Sequence, residues 1–350
     1  MHKTDALVIL TPGFPANETD TACLPERQTL VQSLHHSAPR LNIIVLSFEY
    51  PPESSSYMWH GIRVFCFNRP KKGKLKKLLV WMKIWRTLNA IKKEYNLIAL
   101  VSFWLGECAW ISKYFSAKNN IKEFICLLGQ DARPGNKYVK RVAPSAEKLI
   151  ALSDFTASEF YKHYGIQPRH IIPVGIDLSI FSHRVTKRTI HVMGAGSLIP
   201  LKQYSIFIEV IASLHTLFPD LGAVLCGKGP DKQQLQQQVQ AMGLEQRISF
   251  LDEVPHDRVL ELMQQTRVFL HPSSYEGFGA VCAEALGAGA HVVSFCKPMK
   301  KNIEHWHIVA TKQEMVSKVA EILSDPSIDH SPVVPYSLQQ VTTALLDLVR

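Results

Sequence analysis

Residues 271–288 read HPSSYEGFGAVCAEALGA, and this run holds two carboxylates, Glu276 and Glu284, eight positions apart. The letters RVFLH that lead into it predict a short strand, and the letters AVCAEAL that follow predict a buried helix. Gly277 and Gly279 allow the backbone to approach a ligand closely. A glycine-rich turn from strand to helix offers N–H groups and the positive end of a helix dipole, so the segment predicts an α/β site for an anion or a sugar oxygen.

The same segment resembles the E-x7-E signature of the retaining nucleotide-sugar glycosyltransferases of group 1. Members of this family have the GT-B fold, an α/β architecture of two Rossmann-like doubly wound domains facing a central cleft. The resemblance implies that Glu276 contacts the donor sugar near the reacting centre and that Glu284 holds the ribose hydroxyls. It also implies that the backbone of Gly277, Phe278 and Gly279 binds sugar and phosphate. The residues alone leave a second interpretation, a buried helix with two incidental glutamates.

The length of 350 residues favours two domains, because a single core rarely grows to this size. Both halves alternate short apolar runs with helical patterns, which is typical of doubly wound domains. We expect an acceptor-binding domain over 1–172 and a nucleotide-sugar-binding domain over 173–334. The resemblance further implies that a last helix, within 335–350, crosses back to the first domain.

A second glycine-rich run, GAGSLIPLK over 194–202, also follows a predicted strand. A dinucleotide fingerprint would need a third glycine where Ile199 stands, so that interpretation is weak. The run resembles the G-x-L-x-x-x-K segment of the glycosyltransferases, which implies that Gly196, Ser197 and Lys202 bind the donor diphosphate. Ser197 replaces a frequent arginine, and Lys202 would then carry more of the leaving-group stabilisation. The competing interpretation of Lys202 is a solvated surface lysine.

Two shorter loops complete the expected donor site. Residues 226–231, CGKGPD, resemble the family segment that turns beneath the nucleotide, which implies a binding role for Gly227. Residues 250–254, FLDEV, resemble the loop whose backbone meets the base, which implies such a role for Val254. The alternative for the first loop is a turn that connects a strand to a helix and binds no ligand.

The loop LLGQDARPGNK over 127–137 is the candidate in the first half. Many family members carry a histidine in this region, whereas this chain has Gln130 and Asp131. Asp131 could accept the proton of a sugar or acceptor hydroxyl as a catalytic group, and Arg133 or Lys137 could meet an acidic acceptor. A surface loop with a helix-capping aspartate is the competing hypothesis.

The sequence predicts no metal and no cofactor besides the nucleotide-diphosphate sugar that serves as substrate. It contains no D-x-D, and its His and Cys positions lack the spacing of metal ligands. The seven cysteines form no C-x-x-C pair, which favours reduced thiols in the cytosol; they stand at positions 23, 66, 108, 126, 226, 282 and 296.

A basic segment over 71–93 has nine Lys and Arg and no acid. Residues 1–170 as a whole hold 24 Lys and Arg against 13 Asp and Glu, so the excess positive charge lies in this half. The segment predicts a helix on an anionic membrane surface. Packing against the sheet with solvated lysines is the alternative, and nucleic-acid binding has no motif to support it. Its expected apolar stripe is Leu75, Leu78, Leu79, Met82, Trp85 and Leu88.

The residues and the resemblance together predict a retaining, metal-independent glycosyltransferase of the hexosyltransferase type. It would move a sugar from a nucleotide-diphosphate donor to a glycan or lipid-linked acceptor in envelope polysaccharide or glycolipid biosynthesis. We expect no signal peptide and no membrane span, and a cytoplasmic location that includes the inner face of the membrane. The alternatives are a catalytically silent nucleotide-sugar-binding protein, a membrane- or RNA-associated scaffold, and an epimerase or phosphorylase on the same fold.

Overall fold

The computed structural model describes residues 3–69, 73–181 and 187–350. The chain divides into two compact units. The first unit comprises Met1–Gly175 together with Leu338–Arg350, and the second comprises Ile176–Ser337. Each unit is an α/β domain around its own sheet, so the doubly wound class expected for both halves is confirmed.

The first unit is built on an eight-stranded sheet in the order β3-β4-β2-β1-β5-β6-β7-β8. Among the described strands of this sheet, β3 alone runs antiparallel to its neighbour, and it lies at one edge. The central strand is fully buried over Ala6–Leu10, as expected for a parallel strand covered on both faces. The elements are β1 (Asp5–Gly13), α1 (Pro25–Ser37), β2 (Asn42–Tyr50), β3 (Ser55–Trp59), β4 (Ile62–Cys66), α2 (Lys74–Glu94), β5 (Asn96–Phe103), α3 (Glu107–Asn119), β6 (Lys122–Leu127), α4 (Lys137–Val142), β7 (Leu149–Ala151), α5 (Asp154–Tyr164) and β8 (His170–Ile171).

The second unit is built on a six-stranded parallel sheet in the order β11-β10-β9-β12-β13-β14. The chain starts in the middle, moves outward through β10 and β11, and then returns to the other side of β9 with β12. The elements are β9 (Ile190–Ala195), α6 (Tyr204–His215), β10 (Ala223–Cys226), α7 (Lys232–Ala241), β11 (Ile248–Leu251), α8 (His256–Gln264), β12 (Thr266–His271), α9 (Ala280–Gly287), β13 (His291–Ser294), β14 (Trp306–Ile308) and α10 (Lys312–Ser324).

The final helix α11 (Leu338–Val349) belongs to the first unit. It packs against α1, where the hydroxyls of Ser33 and Thr342 lie 2.7 Å apart. Its buried side chains recur at helical spacing, and they include Val341, Leu345 and Val349. The last helix therefore packs on the first unit through an apolar face.

The glycine turns after β9 and β10 pack backbone to backbone. The N–H of Gly196 donates to the carbonyl of Cys226 at 3.0 Å, and the N–H of Leu198 donates to the carbonyl of Lys228 at 2.9 Å. A Cβ atom on Gly227 would lie 2.0 Å from the oxygen of Gly196, and Gly227 also has φ +138°. Only glycine fits at such an approach, so this residue type is explained by packing alone.

The helix α2 corrects one expectation from the sequence. Its buried side chains are Val80, Ile84, Leu88 and Ile91. Of the six residues in the expected stripe, only Leu88 is buried and Trp85 is half-buried; the other four, Leu75, Leu78, Leu79 and Met82, are exposed. Packing of the whole stripe against the sheet is therefore wrong, because the helix carries two apolar faces and periodicity could not tell which one meets the sheet. Lys71 and Lys72 of the basic segment lie outside the described residues.

None of the helices in the described ranges combines the length and the hydropathy that a bilayer span requires.

Replacement of Gly227 by alanine should destabilise the second unit. The new methyl group would overlap the backbone at Gly196, which must shift, so we expect a loss on the order of 3 kcal/mol in the free energy of unfolding. Gly222→Ala is the matched control, since its Cβ would meet only His191 Nδ1 at 3.9 Å. Calorimetric melting of both variants measures the effect, and equal melting temperatures would contradict the packing argument.

Candidate functional site

The strand order of the second unit places a candidate site between β9 and β12. In open parallel sheets, ligands bind at the carboxyl ends of the strands where the order reverses. The chain leaves β9 into the loop with Lys202, leaves β10 into the loop with Gly227, and leaves β12 into the loop with Glu276. Three of the segments singled out from the sequence therefore emerge along the same edge of the sheet.

Lys202 and Glu276 form an ion pair that joins the loops after β9 and β12. Lys202 ends a single turn of 3-10 helix, Pro200–Lys202, and its Nζ donates to Glu276 Oε1. The two side chains are only 17% and 15% exposed. The lysine is thus a largely buried cation with a carboxylate partner, which excludes the interpretation of Lys202 as a solvated surface residue.

His271 is a third member of this cluster that the sequence did not reveal as a site residue. It is the last residue of β12, is 1% exposed, and places Nε2 2.8 Å from Glu276 Oε1. Its buried Nδ1 has no hydrogen-bond partner among the described residues. The available signal was a histidine at the end of a strand, followed by proline and five positions before the glutamate.

The carboxylate of Glu276 is held in its ionised form. Burial acts to raise its pKa, but the hydrogen bond and charge of His271, together with Lys202, outweigh burial and lower the pKa to about 2. The buried hydroxyl of Tyr204 has a raised pKa, first through burial and then through the nearby charge of Glu276. Glu276 can therefore accept hydrogen bonds and stabilise positive charge near neutral pH, but it is not a proton donor there.

Glu284 lies on α9 and pairs with His256, the first residue of α8. Its Oε1 lies 2.9 Å from His256 Nε2, and its side chain is 12% exposed. His256, at the start of α8, was not singled out from the sequence. Val254 stands just before this helix and is partly buried. Val254 thus stands two residues before His256, the partner of Glu284.

The glycine-rich turn before α9 presents backbone rather than side chains. Gly279 has φ +87° and directly precedes the helix. Phe278 is 2% exposed and packs edge-on against Trp306 and Tyr336, with ring centroids 6.0 and 6.2 Å away. Its side chain is packed in the core, so only its backbone can contact a ligand. Gly277 is also buried, whereas Gly196 is partly buried.

Ser197 is exposed in the loop after β9. It stands beside Gly196 and, through its carbonyl, accepts the N–H of Ile199 at 2.9 Å. Its side chain is short and neutral, so Lys202 carries the cationic charge of this loop.

Asp131 lies in the first unit and is engaged by its own backbone surroundings. Its carboxylate accepts the N–H groups of Leu105, Leu128 and Gly129 at 2.8 to 3.1 Å, and the residue is 6% exposed. Burial raises its pKa to about 6, although these N–H bonds act to lower it. The contacts fit an aspartate that orders the loop, and its catalytic role stays a prediction.

Across the described residues, no three His, Cys, Asp or Glu side chains form a group that could hold a metal ion.

The two units have the strand orders of a GT-B fold, and comparison with known proteins shows which family the second unit resembles. Residues 177–333 match the family model of the glycosyl transferases group 1. This range coincides closely with the second unit. The second unit therefore resembles the group 1 glycosyltransferases, the family that the E-x7-E segment indicated.

The chain is similar to curated glycosyltransferases over part of its length. It is 34% identical over 93 residues to the phosphatidylinositol N-acetylglucosaminyltransferase gpi3 subunit of Schizosaccharomyces pombe, covering 27% of this chain and 20% of that protein. It is 27% identical over 158 residues to the 2-deoxystreptamine N-acetyl-D-glucosaminyltransferase of Niallia circulans, covering 44% and 37%. The matches thus span well under half the length of these relatives.

Solved structures resemble the chain over nearly all of its length. HepE of Anabaena, in complex with UDP and glucose, has a TM-score of 0.66 at 17% identity and covers 99% of this chain and 96% of that one. A TarM mutant of S. aureus, in complex with UDP, fondaparinux and α-GlcNAc-glycerol, has a TM-score of 0.72 at 10% identity and covers 99% of both chains. At these identities the likeness concerns the fold, and it confirms the GT-B class.

The ionised Glu276 should make the second unit sensitive to acid. Because its pKa is lowered from 4.5 to about 2, its contribution to stability is present above pH 4.5 and is lost as the pH falls toward 2. The shift corresponds to a contribution on the order of 3 kcal/mol. Urea unfolding of Glu276→Gln between pH 6 and pH 3 should show a shallower loss of stability than the wild type.

Glu304→Gln is the control for this measurement, since that side chain is 75% exposed. Parallel pH profiles for the wild type and Glu276→Gln would show that the ion pair does not hold the carboxylate ionised.

Proposed function

We propose that this protein is a retaining glycosyltransferase of the hexosyltransferase type. It moves a sugar from a nucleotide-diphosphate donor to a glycan or lipid-linked acceptor in envelope polysaccharide or glycolipid biosynthesis. The observation that carries the proposal is the largely buried cluster of Lys202, Glu276 and His271 at the point where the second sheet reverses its strand order. The match of residues 177–333 to the family model of the glycosyl transferases group 1 supports it.

The cluster is suited to exchange one anion for another. A donor diphosphate at this edge of the sheet competes with Glu276 for the Nζ of Lys202, since both are anionic partners of one cation. Glu276, still held by His271, then accepts hydroxyls of the donor sugar. Glu284 takes the ribose hydroxyls by exchanging its contact with His256. The glycine turns let the donor approach the backbone closely.

The proposed chemistry needs charge stabilisation more than proton transfer from a side chain. The bond between the anomeric carbon and the diphosphate oxygen breaks while the acceptor oxygen bonds to the same face of that carbon. The acceptor proton passes to the departing diphosphate, whose charge Lys202 stabilises. The anionic Glu276 stabilises the positive charge that develops on the sugar. We propose that no metal is required, because the cation of Lys202 would stabilise the charge that develops on the diphosphate.

We propose a cytoplasmic protein that works at the inner face of a membrane. All seven cysteines are free thiols, which fits a reducing compartment. The acceptors would then be lipid-linked or growing envelope glycans. The basic helix α2 is the part of the first unit that supports contact with an anionic surface.

Donor binding is tested by calorimetry with UDP-, GDP-, ADP- and dTDP-sugars, with and without Mg2+. UDP-sugars come first, since HepE and TarM are described with UDP. One nucleotide class should bind without metal, and Lys202→Ala should weaken it about 10- to 100-fold, the value of a charge-assisted hydrogen bond. Lys312→Ala, which removes an exposed lysine paired with Glu209, is the control. No binding by any class, or equal binding by Lys202→Ala, would overturn the donor site.

Transfer is tested with Glu276→Gln, which keeps the shape of the side chain and removes its charge. We expect transfer to a supplied acceptor to fall by at least about 100-fold, because the charge is lost where the sugar reacts. Glu304→Gln should transfer at the wild-type rate. Donor binding without any transfer by the wild type would favour the catalytically silent alternative, and wild-type transfer by Glu276→Gln would refute the site.

A further inference from the structure

The outer face of α2 exposes four large apolar side chains within eight residues. Leu75 is 79% exposed, Leu78 51%, Leu79 57% and Met82 43%. The opposite face already fills the core of the first unit, so these side chains have no packing role there. Elsewhere in the described part of the chain, large exposed apolar side chains occur singly or in pairs. A contiguous exposed apolar patch on a water-soluble domain indicates an interaction surface.

Three cations flank this apolar face on one side. Lys76, Lys83 and Arg86 line a cavity of about 440 Å3 together with Leu79 and Met82. Lys83 and Arg86 also line a neighbouring cavity of about 370 Å3, next to the serines of residues 54–56. None of the three cations forms an ion pair with a carboxylate among the described residues. Their arrangement around open cavities is complementary to an anionic group.

Aromatic side chains flank the other side of the same helix. Trp81 of α2 packs on Trp110 of α3 with ring centroids 4.7 Å apart, and Trp110 packs on Tyr114 at 5.1 Å. Tyr114 is 47% exposed. Lys118 lies 5.7 Å from the ring centre of Trp85. Trp81, Trp85 and Trp110 are partly buried against the core, so Tyr114 and Lys118 are the exposed groups on this side. Both are residue types found at the boundary between water and lipid headgroups.

We propose that this surface docks the protein on an anionic lipid bilayer. The outer leucines and Met82 enter the boundary between headgroups and acyl chains, and Lys76, Lys83 and Arg86 bind lipid phosphates. The proposal rests on the membrane-associated part of the proposed function and names the surface responsible. A nucleic acid would use the cations but leave the leucines in water. Complementarity of both charge and hydropathy therefore favours lipid.

The test is cosedimentation of the full-length chain with vesicles of three parts phosphatidylcholine to one part phosphatidylglycerol. Leu78→Ser with Leu79→Ser, and Lys83→Gln with Arg86→Gln, should each reduce the partition coefficient about 10-fold or more. Vesicles of phosphatidylcholine alone should bind the wild type weakly, and salt should weaken binding to the anionic vesicles. Leu217→Ser, at a side chain that is 65% exposed in the second unit, is the apolar control, and Lys312→Gln is the charge control.

Two results would overturn the proposal. One is equal partition of the wild type and both double variants. The other is a wild-type dimer that Leu78→Ser with Leu79→Ser converts to a monomer in light scattering, since the surface would then join two copies of the chain. Calorimetry of nucleotide sugars on the same variants distinguishes failure of the membrane surface from failure of the proposed function. If the double variants lose vesicle binding but keep donor binding, the surface is confirmed. If the wild type binds vesicles but no donor, only the proposed glycosyl transfer is refuted.

Discussion

The ion pair between Lys202 and Glu276 is the interaction on which the candidate site depends. It connects the loops that leave β9 and β12, the two strands between which the sheet order reverses. His271 adds a second donor to the same carboxylate oxygen from the buried end of β12. Neither charge could be buried alone without a large desolvation cost, so each loop is fixed by the other. The ion pair therefore lies at the place where we propose that the donor diphosphate binds.

Local sequence was enough to predict the α/β architecture and the loops of the second unit. Apolar runs that are followed by proline or glycine are short-range signals, and they predicted the strands that end at His271 and Ala195. The partners of the carboxylates were not predictable in this way. His271 reaches Glu276 across a turn, and His256 reaches Glu284 from a different helix. Such contacts depend on the tertiary packing, which no spacing along the chain encodes.

In the first unit too, the sequence alone did not predict which side chains are buried. The helix α2 has apolar residues on both sides, and only the sheet decides that Ile84 and Leu88 are buried while Leu75 and Leu79 are not. For Asp131 the sequence left two hypotheses, a catalytic group and a helix-capping aspartate in a surface loop. Its carboxylate is instead enclosed by three backbone N–H groups, a geometry that arises from the folding of β5, β6 and their loops together.

The most direct test of the account is a crystal structure of the chain with an intact nucleotide-diphosphate sugar or a non-hydrolysable analogue. The account predicts the diphosphate on Lys202 Nζ and the turn at Gly277–Gly279, with the contact between Lys202 and Glu276 broken and Glu276 facing the sugar. Glu284 should contact the ribose. A nucleotide bound elsewhere, with the ion pair between Lys202 and Glu276 intact, would contradict it.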